Sequence, residues 1–122
     1  MKTILVADDQ PLMRLVVRTM LGSNPAYQVD EAENGAEALA LAREHHPDLV
    51  LLDVEMPEMT GPEVCTVLKG SPETRHIPIL IMSGCEQEDV QGYALMAGSD
   101  GFLKKPFTAS ALRERIKELL GE

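Results

Sequence analysis

Short apolar runs alternate along the chain with longer stretches of helical period. The runs at residues 3–7, 28–32, 49–52, 79–82 and 101–103 read as strands. Several of them lack polar alternation, as expected for strands covered on both faces. Between them, residues 11–21 open with Pro11 at a helix start and run out near Gly22. Residues 36–44 carry Ala38, Leu39 and Ala42 at helical spacing and stop before His45, His46 and Pro47. Residues 62–69 and 86–97 read as helices ending at Gly70 and Gly98, and residues 109–120 place Ala109, Leu112, Ile116 and Leu120 on one face before Gly121. The sum is five βα units, the rhythm of an α/β protein with one doubly wound parallel sheet.

Length and composition narrow this further. A chain of 122 residues is one domain, residues 1–122, able to bury a single core. With 11 basic against 20 acidic residues the net charge is −9, which repels phosphate backbones and anionic lipid and so argues against direct binding to nucleic acid or membrane. Asp8 and Asp9 stop the first apolar run before it reaches signal-peptide length, and no run is long enough to span a bilayer. Cys65 and Cys85 have no metal-ligand spacing and are too few for a disulfide framework, so reduced thiols and a cytoplasmic location are expected. The seven methionines, Met13, Met20 and Met82 among them, read as core filler.

In a parallel α/β sheet, functional groups collect beyond the carboxyl ends of the strands. Here the first strand leads into Asp8 and Asp9, the third into Asp53, the fourth into Ser83 and the fifth into Lys104 and Lys105. Asp8-Asp9, the run from Leu51 to Gly61 that contains Asp53 and Glu55, Ser83-Gly84 and Lys105-Pro106-Phe107 together resemble the receiver domains of two-component response regulators, chemotaxis-regulator-like and phosphorylated on aspartate. The resemblance covers essentially the whole chain. It implies a flavodoxin-like (βα)5 fold with strand order 2-1-3-4-5, and a cis peptide bond before Pro106.

That order would make the first and third strands neighbours, so that three carboxylates converge. Their mutual repulsion raises a pKa unless a cation neutralises them, and oxygen donors without His or Cys favour Mg²⁺. The resemblance implies Asp53 as the phosphoacceptor nucleophile. It implies Asp9 as a direct metal ligand, Asp8 as one acting partly through water, and Glu55 as a ligand through its backbone carbonyl. Lys105 would pair with the Asp53 carboxylate before transfer and with a phosphoryl oxygen afterwards. Ser83 stands where the family often has Thr and keeps the hydroxyl that can bond a phosphoryl oxygen. Phe102 occupies the switch-aromatic position and, having no hydroxyl, gains only packing when it turns inward.

The expected function is a signalling switch that assists only its own phosphorylation and dephosphorylation. It would take phosphate from a histidine kinase or histidine phosphotransfer protein and act on a downstream protein or a fused output domain. The changing surface would surround the helix at 86–97, the fifth strand and the last helix. Two other readings stay open: an aspartyl-phosphate hydrolase, for which Glu55 two residues after Asp53 would be the second acid, and a receiver-like binding module that is never phosphorylated. Asp9 before Gln10-Pro11 would also suit a helix N-cap. At 100° per residue, Met13, Val16, Val17 and Met20 fall on an arc that can face the sheet. Pro11, Leu12 and Leu15 point away from it, and their clustering beside the acidic pair suggests a docking patch, which the resemblance implies would meet the helical bundle that presents the phosphohistidine.

Overall fold

A computed structural model of the chain describes residues 1–22, 24–84 and 98–122. The helix expected at 86–97 and Cys85 lie outside the described residues. Five strands, β1 (Lys2–Ala7), β2 (Tyr27–Ala32), β3 (Leu49–Asp53), β4 (Ile79–Ser83) and β5 (Gly101–Lys104), form one parallel sheet in the order β2-β1-β3-β4-β5. The described helices are α1 (Pro11–Leu21), α2 (Gly35–His45), α3 (Gly61–Lys69) and α4 (Ala109–Leu120).

The sheet separates two apolar layers because successive strand side chains point to opposite faces. Leu5, Val50, Leu52, Ile79 and Ile81 pack with Ala38 and Ala42 of α2 and with Val64, Cys65 and Leu68 of α3. Ile4, Val6, Leu51, Leu80 and Met82 pack on the other face with Val17 and Leu21 of α1 and Leu112 and Ile116 of α4. The central strands β3 and β4 are buried at every position, which is why their sequences show no polar alternation. Burial also pushes the Cys65 thiol up to about 11, so it sits in the core as a small apolar group.

Helix starts are set locally. Asn34 caps α2 by accepting from the Glu37 amide at 2.7 Å, and Thr60 with Glu63 closes a reciprocal capping box on α3. The α1 start differs from the expectation for Asp9. Its N-cap is Gln10, whose amide donates to Oδ1 of Asp8 at 2.9 Å, so Asp8 rather than Asp9 shapes the turn.

The phase of α1 also needs correction. Val17 faces the core as expected, but its fully inward companions are Leu21 and the charged Arg14, while Met13, Val16 and Met20 are half-buried. These three flank an apolar groove of about 360 Å³ closed on its far side by Pro106 and Phe107. The physical reason is that Arg14 finds its acidic partner Glu31 on β2, while the flank with Met13 and Met20 faces the loop after β5. Among the described residues, no helix is long and apolar enough to cross a membrane.

Candidate functional site

The carboxyl ends of β1, β3 and β4 deliver the site. Ala7 pairs with Leu52 across β1 and β3, so the next residues, Asp8 just past β1 and Asp53 at the end of β3, emerge side by side. Asp8 is wholly buried and its amide donates to the carbonyl of Ala32 at 3.1 Å, prolonging the β1–β2 ladder by one step. Asp9, next along, is exposed. Ser83 closes β4, and the Lys105 amide donates to its carbonyl at 2.7 Å, which fixes where the lysine leaves the sheet. The Lys105–Pro106 peptide is cis.

The Lys105 ammonium stands 3.1 Å from Oδ2 of Asp8 and 3.3 Å from Oδ1 of Asp53. One carboxylate oxygen from each of Asp8, Asp9 and Asp53 lies within 4.8 Å of the other two. One ammonium therefore faces three carboxylates. Asp53 is only 7% exposed, and its carboxyl is raised from 3.8 to about 6, first by burial and then by the charge of Asp8, with Lys105 pulling the other way. Three hard oxygen donors so close together fit a divalent cation that prefers oxygen, and Mg²⁺ meets that description without His or Cys.

Above these groups opens a cleft of about 490 Å³, walled by Asp9, Asp53, Glu55, Ser83 and Lys105, with Gln10 and Gly84 at its edge. It has room for a phosphoryl group. Of the residues read from sequence, Asp8, Asp9, Asp53, Glu55, Ser83 and Lys105 are brought together. Phe102 is not in the cleft. It is half-buried against the α2–α3 layer, paired across the sheet with Ile81, two positions before the Ser83–Lys104 pair. Leu12 and Leu15 are 72% and 56% exposed, and Pro11 is exposed beside them. The expected partner surface over 86–97 lies outside the described residues.

Sequence reasoning missed two contributors. Gly61 opens α3 with its amide on the carbonyl of Val54 at 3.0 Å, and a Cβ there would overlap the carbonyl oxygen of Asp53. A tight-loop glycine is the signal in sequence, though its contact with the strand end is not. Arg14, 11% exposed in its side chain, donates from Nη1 to the carbonyl of Asp8 at 2.7 Å. A basic residue among apolar ones in the first turns of the helix, with a second, Arg18, one turn on, was the available signal.

Comparison with known proteins agrees with this arrangement. The family model described as response regulator receiver domain matches residues 4–117. The chain is 33% identical over 121 residues to the polar-differentiation response regulator DivK of Brucella ovis, covering 99% of this chain and 98% of that protein. It is 36% identical over 118 residues to histidine kinase P4 of Formosa agariphila, covering 97% of this chain but only 8% of the kinase. Among solved structures, the signal receiver domain of a histidine kinase from Syntrophus aciditrophicus superposes with a TM-score of 0.92 at 32% identity, covering 99% of this chain and 91% of that one. The receiver domain of a Pseudomonas aeruginosa sensor histidine kinase, solved with a magnesium ion coordinated in its active-site cleft, superposes with a TM-score of 0.91 at 25% identity, covering 99% and 98%.

Proposed function

The chain belongs to the response regulator receiver domain family, and on that footing we propose that it works as a phosphorylation switch whose acceptor is Asp53. The observation that carries the reading is the position of Asp53, which sits at the floor of an open cleft with Lys105 on one oxygen and two further carboxylates within ligand distance. A nucleophile, a fixed cation and an acidic cradle are what in-line phosphoryl transfer asks of a protein, because that reaction depends on placement and charge neutralisation.

The donor is a phosphohistidine of a histidine kinase or a histidine phosphotransfer protein. A carboxylate oxygen of Asp53 attacks phosphorus, and the P–N bond breaks with its electron pair returning to the imidazole. Lys105 holds the carboxylate in place beforehand and neutralises a phosphoryl oxygen afterwards. A Mg²⁺ held by Asp8, Asp9, Asp53 and the backbone carbonyl of Glu55 would neutralise the crowded carboxylates and the incoming phosphoryl oxygens. The buried Ser83 hydroxyl lies on the cleft wall, where a new phosphoryl oxygen offers it an acceptor available only in the modified state. Phe102 would relay that change by repacking. The partner surface expected around residues 86–97, β5 and α4 would then exchange downstream partners or a fused output domain. Pro11, Leu12 and Leu15 would receive the phosphohistidine-bearing bundle, since exposed apolar residues cluster there beside Asp9.

The protein so described turns over only its own acyl phosphate and acts in the cytoplasm, and its charge of −9 supports contacts with proteins rather than nucleic acid or anionic membrane. Incubation with a small-molecule phosphodonor and Mg²⁺ should add one phosphoryl group by intact mass, and none in Asp53→Asn. Equal labelling of the variant would falsify the assignment of Asp53, and steady multiple turnover of a phosphoester would favour a hydrolase.

A further inference from the structure

Arg14 is a buried cation that the proposed transfer does not use. Burying a guanidinium is costly unless its donors are satisfied, and here each side of the fork has an acidic or carbonyl partner. Nε donates to Oε1 of Glu31 at 3.2 Å, Nη1 to the backbone carbonyl of Asp8 at 2.7 Å, and Nη2 lies 3.9 Å from Oε1 of Glu33. Glu31 is itself anchored, because Arg18 donates from Nη2 to its Oε2 at 2.7 Å and to the carbonyl of Val29 at 3.0 Å. Those contacts hold the carboxyl of Glu31 below its ordinary value, the bond from Arg18 contributing most. The guanidinium is thus fixed from β2 and aimed at β1.

Its target is the peptide that joins Asp8 to Asp9. Every other polar group of Asp8 is also engaged: the amide with Ala32, Oδ1 with the Gln10 amide and Oδ2 with Lys105. The carbonyl bond from Arg14 sets the tilt of the following peptide plane, and with it the direction in which the exposed Asp9 leaves the chain.

We propose that Arg14 is a positioning residue of the cation site, which orients the Asp8–Asp9 peptide so that both carboxylates meet Asp53. The inference rests on the reading of Asp8, Asp9 and Asp53 as cation ligands. Charge and position predict opposite signs. Through space a guanidinium repels a divalent cation, so losing it by charge alone tightens binding, whereas losing its hold on the peptide weakens binding.

The test is calorimetric titration of the whole chain with Mg²⁺, below the melting temperature of each variant, with the Asp9 amide followed by NMR. Arg14→Met should bind Mg²⁺ roughly tenfold more weakly than the wild type, the scale typical of residues that orient metal ligands, and its Asp9 amide should shift before metal is added. Arg14→Lys keeps the charge and the apolar stem but cannot hold Glu31 and the Asp8 carbonyl together, so it should also bind more weakly. Equal or tighter binding by Arg14→Met overturns the proposal. If that variant does not fold, unchanged affinity in Arg14→Lys does so. A wild type that takes up no Mg²⁺ overturns the underlying reading of the carboxylates, and this inference with it.

Discussion

The ammonium of Lys105 stands 3.3 Å from Oδ1 of Asp53, held there by the bond from its own amide to the Ser83 carbonyl. The same nitrogen is shared with Asp8 at 3.1 Å, so neither carboxylate has a cation to itself. This sharing explains why Asp53 remains raised to about 6 despite an ion pair, since burial and the Asp8 charge together outweigh half a lysine. The site is electrostatically unfinished, and its measurable properties follow from that.

Stability should fall as pH rises through this site. A carboxyl raised from 3.8 to about 6 binds its proton more tightly in the folded chain, so the folded state gains from protonation. In metal-free protein the contribution is present below pH 4 and is lost between pH 4 and pH 6, to a total of about 3 kcal/mol for a shift of that size. Asp53→Asn should therefore be more stable than the wild type at about pH 8 and nearly equal to it at about pH 3.5, below both values of the carboxyl. Urea unfolding in chelator at both values measures this, and a difference independent of pH would count against a buried, charge-crowded Asp53.

Asp9→Ala should weaken Mg²⁺ binding much more than Ser83→Ala. Asp9 contributes a carboxylate oxygen to the three-residue cluster, whereas Ser83 contributes only a hydroxyl on the cleft wall. Ser83→Ala should still be labelled on Asp53. Titration of the unphosphorylated variants decides the division of roles, which equal losses of affinity would refute.

Gly61→Ala should cost both stability and labelling. Its Cβ would overlap the carbonyl oxygen of Asp53 and come within 2.9 Å of the carbonyl carbon, both backbone atoms that cannot swing aside. Relief requires moving the end of β3, at about 1–3 kcal/mol for a clash of this kind. Gly84→Ala is the control, because its Cβ meets nothing closer than Lys105 Cβ at 3.9 Å. Chemical denaturation of the pair should show a loss in the first that is absent from the second.

Leu15→Asp should slow phosphotransfer from a phosphorylated histidine phosphotransfer protein and leave labelling by a small phosphodonor unchanged. Leu15 is 56% exposed and is not among the buried or half-buried residues of either apolar layer, so the substitution should leave thermal stability nearly intact. Loss of both rates together with stability would place Leu15 in the core, and no loss in either would remove α1 from the docking surface.

How much of this was legible beforehand depends on the range of the interactions involved. The limits of the described strands and helices were readable to within a residue, α1 and α4 at both ends, because apolar period, Pro11, Gly22 and Gly121 act within a few positions of themselves. Asp8, Asp9, Asp53, Ser83 and Lys105 were readable as a set because each follows or ends an apolar run, and a parallel sheet brings those ends to one edge.

The sequence by itself thus determined which residues reach the cleft. Only the tertiary structure decided how they share charge and space there. That one lysine serves both Asp8 and Asp53 depends on where β5 lies beside β4 and where β3 lies beside β1. The inward turn of Arg14 depends on Glu31 of β2, a partner that an ideal helical wheel does not contain. Gly61 matters because a loop returns α3 onto the carbonyl of Asp53. Each of these is a contact between segments distant in the chain, whose geometry comes from packing two layers on one sheet rather than from local preference.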